Sequence, residues 1–219
     1  TTGPGRPVVA IKKAFFKNTF PSMRFEQTTF PSPTNVVTLI QAKSHLRVEH
    51  SDDDTLIGSL IAAAYGMVEA YTGRFLQPTL GTFYFDDFHE FINLHGGPNM
   101  TIVADDGHGN NHGVTYTNTS SVETVINNKD FEFEGKSYPA RLRMLNEPSD
   151  IKDTINAVKI FVQSGHTNQT DRPDALVAAM LLIIGHLYEN RQDVGQHKTH
   201  ATPLASRYLM EPYRVKSFA

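Results

Sequence analysis

Apolar positions recur at helical spacing in three stretches of the chain. Leu39, Ala42 and Leu46 stand at i, i+3 and i+7, and Thr38 precedes them with Gln41 three residues on. That order predicts a helix opened by a capping box. Leu56, Ile57, Leu60, Ile61, Ala64, Tyr65, Val68 and Tyr71 make a longer stripe, with Ser51 before it as the expected N-cap and Gly73 after it as the stop. Asp52, Asp53 and Asp54 fill its first turn, where carboxylates complement the helix dipole. The third stretch spans 171–193 and places Pro173 in the first turn, where its missing N–H costs nothing. Leu176, Met180, Ile183 and Leu187 form one face of it, and Val177, Leu181 and Ile184 an adjoining one. A helix apolar on two sides is central to a bundle or shared between subunits. A short helical patch at Leu204–Met210 follows a polar loop.

Between the second and third stretches the period changes. Thr82–Phe85, Phe88–Leu94, Thr101–Ala104, Gly113–Thr117 and Ala157–Val162 have strand composition, and Phe131–Glu134 and Arg141–Leu145 alternate. The segment 105–111, Asp-Asp-Gly-His-Gly-Asn-Asn, is expected to be a hairpin loop between its flanking strands. The predicted class is α+β: mainly a helical bundle, with a β-rich insertion between the second helix and the long C-terminal one. The expected organisation is an extended arm over 1–36, a helical core from 37–77 and 166–219, and a β-rich region over 78–165. Five prolines (Pro4, Pro7, Pro21, Pro31, Pro33) punctuate the arm, and its large apolar residues, Val8, Val9, Phe15, Phe16, Phe20, Phe25 and Phe30 among them, follow no period. Such a segment docks on something else, its own body or a neighbour.

Composition narrows the function classes. With 39% apolar residues and 15 glycines among 219, the chain can bury a core and is not broadly disordered. It has no cysteine, which removes disulfides, thiolate nucleophiles and cysteine zinc sites together. The longest apolar run, 175–184, is too short for a membrane span of about 20 residues. No apolar leader is visible, and the expectation is a cytoplasmic chain without membrane contact. The net charge is −3, against the strong basic footprint of a duplex-coating protein. The charge is uneven: Arg6, Lys12, Lys13, Lys17 and Arg24 against Glu26 give 1–37 a charge of +4, leaving −7 elsewhere. A basic arm on an acidic body suits an acidic partner surface.

Candidate chemistry is sparse. His108 with His112, and His197 with His200, have zinc-ligand spacing but lie in polar loops without a third and fourth ligand. Asp52–Asp54 reads as helix N-terminal charge rather than a cation site, and Asp105-Asp106-Gly107 lacks the alternating ligands of a calcium loop. No nucleophile elbow or phosphate loop occurs, and no pair among the 23 carboxylates stands out as an acid–base couple. The expectation is a chain with no catalytic residue, no metal and no cofactor.

Order and spacing carry a resemblance. Val37–Val48, then Asp52–Ile57, Ala62–Ala64 and Val68–Arg74, followed after the β-rich middle by Arg172–Leu176, Leu181-Leu182, His186–Arg191 and Pro212-Tyr213-Arg214-Val215, resemble the tailed-bacteriophage head–tail connector proteins, also called adaptor or head-completion proteins. The resemblance implies a non-enzymatic structural protein of the virion, made in the bacterial host cytoplasm. It would form a homo-oligomeric ring, commonly dodecameric, beneath the portal protein. That ring would extend the DNA channel, pass genomic DNA without binding it specifically, and present a platform to the next connector or tail-terminator protein. Tyr213, Arg214 and Val215 match the segment that reaches the portal in that family, and Tyr208 is a further interface candidate. Leu56, Leu60, Tyr65, Tyr71, Leu176, Met180, Ile183, Leu187 and Tyr188 are expected in the bundle core or between subunits. The competing readings are a β-rich ligand- or receptor-binding module of a virion, using 78–165, and a metal hydrolase using His197 or His200.

Overall fold

The computed structural model describes residues 24–97, 99–103, 113–191 and 204–215. Among them are four α-helices and nine strands: β1 (Arg24–Gln27), α1 (Leu39–Leu46), α2 (Asp54–Thr72), β2 (Thr79–Phe85), β3 (Phe91–Leu94), β4 (Thr101–Ile102), β5 (Val114–Thr117), β6 (Glu123–Val125), β7 (Phe131–Glu134), β8 (Ala140–Met144), β9 (Val158–Ser164), α3 (Asp174–Glu189) and α4 (Leu204–Met210). Every strand pairing is antiparallel, and the class is α+β as expected.

The helices begin and end where local chemistry allows. The Thr38 side chain accepts from the Gln41 N–H while Gln41 Oε1 accepts from the Thr38 N–H, so the capping box at α1 is complete. Gly73 ends α2 in the left-handed conformation (φ 67°) that a glycine adopts without strain. Ser51 is not the N-cap of α2. Asp53 holds that position, and its carboxylate is drawn away to α3. α3 is shorter than the expected 171–193, because Pro173 is the N-cap rather than a first-turn residue and the chain leaves the helix at Asn190. α2 and α3 run antiparallel and, with Val36, Val37, Ala42, Leu76 and Met210, enclose one apolar core.

The strands enclose a second core. One sheet has the order β1-β2-β9-β5-β6, with β4 also on β9, and the other has the order β3-β8-β7. β2 and β9 are buried along most of their length, as central strands are when covered on both faces. Phe83, Phe85, Val114, Ile160 and Val162 from the first sheet pack with Ile92, Leu94, Leu142 and Met144 from the second. On β8 the alternation is clean, with Ala140, Leu142 and Met144 inward and Arg141 and Arg143 outward. The two arginines stand opposite Glu134 and Glu132 of β7, at 2.9 and 3.9 Å. These exposed cross-strand pairs fix register and add about 0.2–1 kcal/mol each at most.

Three strand expectations are corrected. The strand expected at Phe88–Leu94 begins only at Phe91, and Leu145 lies beyond the end of β8, 46% exposed. The third correction concerns 101–117, where β4 and β5 do not form a hairpin. Both pair with β9, at Ile102↔Val162 and Val114↔Ile160, end to end along one edge. The chain leaves that edge at Val103, whose N–H donates to the Phe161 carbonyl, and returns at Gly113, whose carbonyl accepts from the Phe161 N–H. The 105–111 turn sequence itself lies outside the described residues.

β1 closes the opposite edge. Phe25 lies over Gly81, where an added Cβ would come within 2.3 Å of the Phe25 ring. Its ring meets Phe83 at 4.7 Å and Phe75 at 5.5 Å. The glycine vacates the space in which that aromatic seats the strand.

Candidate functional site

Several of the expected interface residues lie at the two ends of α2. At its C-terminal end the chain returns after α4 through a 3-10 turn, Glu211–Tyr213. The Tyr71 hydroxyl donates to Glu211 Oε2 at 2.7 Å, the Arg214 guanidinium lies 5.3 Å from the Tyr71 ring centre, and the Val215 N–H donates to the Thr72 carbonyl at 2.8 Å. Glu211 holds the Tyr71 hydroxyl's pKa above the usual tyrosine range. Tyr213 is half-buried on the helical core, with Arg74 6.0 Å from its ring. Tyr213 thus packs on its own bundle, while Tyr208 is 75% exposed and Arg214 is exposed.

At the other end of α2, Asp53 accepts from the Tyr188 hydroxyl and from Arg191 (3.0 Å), and Lys43 reaches Asp54 at 2.6 Å. The Tyr188 bond, then the Arg191 bond and charge, hold the Asp53 carboxyl below the usual carboxylate range against the opposing effect of burial. The acidic first turn of α2 is therefore used to tie α1, α2 and α3 together. Tyr65, Leu176, Met180 and Ile183 are buried in the helical core, while Leu60, Tyr71, Leu187 and Tyr188 are partly buried against it. Leu56 is partly exposed and outside that cluster.

Sequence reasoning missed a buried polar junction between the helices and the sheets. Arg172 is 7% exposed, and its Nε donates to the Leu76 carbonyl at 3.0 Å. The Leu76 N–H donates to Glu69 Oε1 at 2.7 Å. Burial raises the Glu69 carboxyl's pKa, and burial followed by the Glu69 charge raises that of the Tyr65 hydroxyl. The signal was an Arg directly before the helix-opening Pro173 and a Glu on the apolar side of α2.

His166 is 5% exposed in the same region, and its Nε2 has no protein partner. Burial, then the Arg172 and Arg74 charges, push its pKa below the ordinary histidine value, against an opposing bond to the Asp171 backbone. The folded state therefore holds fewer protons here than the unfolded chain. Stability from this site is complete above about pH 6.5, the unfolded value, and declines as pH falls below it. We expect His166→Gln to flatten the melting temperature between pH 7 and pH 5 relative to the unsubstituted chain. An unchanged slope would refute the assignment.

Among the described residues no group of three or more His, Asp or Glu could hold a metal ion, and no helix is long and apolar enough to cross a membrane. His108, His112, His197 and His200 lie outside the described residues. What the described surface offers is apolar contact: Ile40 and Phe30 are each 80% exposed, as Tyr208 is at 75%.

Comparisons with known proteins agree with this architecture. Residues 36–95 match the family described as Phage gp6-like head-tail connector protein. They comprise α1, α2, β2, β3 and the positions that link them. No curated protein matches. A solved chain from the neck of an empty GTA particle computed with C6 symmetry is similar at 18% identity and TM-score 0.69, over 90% of this chain and 97% of that one. A chain from the virion of a native gene transfer agent particle is similar at 18% identity and TM-score 0.69, over 89% and 97%. A chain from the neck of a native GTA particle computed with C12 symmetry gives 17% identity and TM-score 0.64, over 90% and 97%. The resemblance to phage head–tail connector proteins read from the sequence is borne out, by the family match over residues 36–95 and by a shared fold over most of the chain.

Proposed function

We propose that this chain is a structural connector of a virion, forming a ring beneath the portal protein that extends the DNA channel and joins the capsid to the tail. The observation that carries the reading is the pairing of a connector-family match over residues 36–95 with similarity over 90% of the chain to a chain of a particle neck. The neck structures were computed with six-fold and twelve-fold symmetry, which supports a ring of about twelve copies here. Such a ring needs two complementary surfaces on each subunit. The exposed side of α2, with Ala62, Ala63, Gly66, Met67 and Ala70, is uncharged and open to a neighbour. The acidic balance of the chain beyond its arm suits a channel through which DNA slides, because dense cationic contacts to phosphate would hold it. The α4 and 211–215 segment faces the portal in this reading, with Tyr208 and Arg214 as its exposed contacts.

Tyr208 tests that assignment cleanly because little of it is buried. Tyr208→Ala should leave stability within about 0.5 kcal/mol. It should weaken co-sedimentation with the cognate portal by about tenfold or more, as loss of an aromatic anchor does. Undiminished co-sedimentation would remove this surface from the portal contact. Ring formation is tested separately by native mass spectrometry of the purified chain across concentration, where a closed species of about twelve copies is expected.

A further inference from the structure

An open cleft of about 630 Å³ lies between the two sheets, walled by Met100, Ile102, Val125, Ile126, Phe131 and Phe133. Its volume is in the range of sites that enclose a bound group, about 300–1,000 Å³. The charged residue that lines it is Lys136, which is exposed. Glu134, two positions earlier, is held by Arg141 at 2.9 Å. The other end of the same sheet pair is acidic. The loop between β8 and β9 carries Glu147, Asp150 and Asp153 against Lys152. The segment after β2 adds Asp87 and Asp86, whose carboxylate accepts from the Asn156 N–H at 2.8 Å. Ile155 stands out from this acidic end, 78% exposed.

We propose that the cleft receives the β8–β9 loop of a second copy of this chain, with Ile155 between the sheets and the acidic flank of the loop toward Lys136. The proposal rests on the ring reading and names a contact between neighbours in that ring. Charge selects the occupant. Phe30, Ile40, Ile155 and Tyr208 are the large apolar side chains that stand out furthest among the described residues. Ile40 shares its helix with Lys43 and His45, Tyr208 follows Arg207, and no charged residue lies within three positions of Phe30. Ile155 is the one of the four set among acidic groups, opposite in sign to Lys136. Position makes the occupant a second copy. Thr101 and Ile102, at the cleft, pair with Gln163 and Val162 near the close of β9, whereas the Ile155 loop enters β9 at Val158. Five strand residues, about 17 Å, separate those ends, and Ile155 is exposed rather than seated in its own cleft. A knob and a cleft at different places on one subunit make a heterologous contact, which repeats from copy to copy and closes into a ring.

The chain has no cysteine, so engineered thiols report without background. Thr154→Cys beside Ile155, combined with Asn128→Cys at the cleft, places one thiol on each side of the contact. The reference variant combines Asn128→Cys with Ser44→Cys, an exposed position on α1. Both are oxidised mildly, alone and mixed with the cognate portal ring. The cleft pair should give a ladder of cross-linked multimers about tenfold faster than the reference pair, because docking raises the effective concentration of the two thiols. Adding Ile155→Lys, a substitution at an exposed position, should return the cleft pair to the reference rate. Native mass spectrometry of the same samples reads assembly independently. Rings that form while the cleft pair cross-links at the reference rate would overturn this proposal and leave the ring reading standing. A chain that stays monomeric in both samples, without fast cross-linking, would overturn the two together.

Discussion

Gly165→Ala should destabilise the protein by about 3 kcal/mol or more. Gly165 follows β9 with φ 113°, a backbone region that costs other residues about 1–3 kcal/mol. A Cβ placed there would lie 2.0 Å from the Gln77 carbonyl oxygen and 2.7 Å from its carbon. Those atoms are backbone and have little room to yield. Gln77 is 3% exposed, and its side chain donates to the Ser32 carbonyl at 2.9 Å. Relieving the clash moves the two strand ends that feed α2 into β2 and β9 into α3, adding overpacking of about 1–3 kcal/mol. At this chain length the sum corresponds to a fall in melting temperature of roughly 6–12 °C. Gly58→Ala is the matched control: Gly58 lies within α2, with nothing within 4 Å of its added Cβ. It should raise stability by about 0.5–1 kcal/mol. Thermal unfolding of both variants checks the pair, and a Gly165→Ala midpoint within a degree of the unsubstituted chain would contradict the geometry.

Phe83→Ala should cost about 3–5 kcal/mol, as truncation of a fully buried aromatic does. Phe83 is 1% exposed, stands opposite Ile160 on β9 and Phe25 on β1, and stacks 6.5 Å from Phe85. Its loss also removes the nearer of the two aromatic partners that seat Phe25. Amide exchange at Phe25, Glu26 and Gln27 should therefore accelerate more than exchange on β9. Phe91→Ala is the contrast, because Phe91 is 58% exposed with Arg143 5.5 Å from its ring centre. It should cost less than about 1 kcal/mol. Equal losses for the two phenylalanines in denaturant unfolding would place the sheet core elsewhere.

These effects show which features local sequence could reveal. α1 and α2 were legible because the Thr38–Gln41 box and the Gly73 stop act within one turn of the residues that name them. The N-cap of α2 was misread because Ser51 and Asp53 both have capping chemistry, and backbone geometry selects between them. The hairpin at 101–117 failed for a different reason. Its turn residues are sound, but β9, some 40 residues further on, pairs with both flanking strands. Non-local pairing of that kind leaves no mark in the local alternation. The Phe25–Gly81 fit and the Arg172–Leu76–Glu69 junction likewise depend on atoms brought together only by the fold. Tyr65, Leu176, Met180 and Ile183 were readable as buried positions because each belongs to a helical stripe. Which exposed residues meet a partner is not written in that stripe.

The central claim is that the chain builds a ring between portal and tail, and electron microscopy of the purified chain mixed with its cognate portal ring tests it most directly. The account predicts an added collar of about twelve subunits on the portal, coaxial with its channel. Portal rings left bare, with the chain remaining monomeric in the same sample, would contradict it.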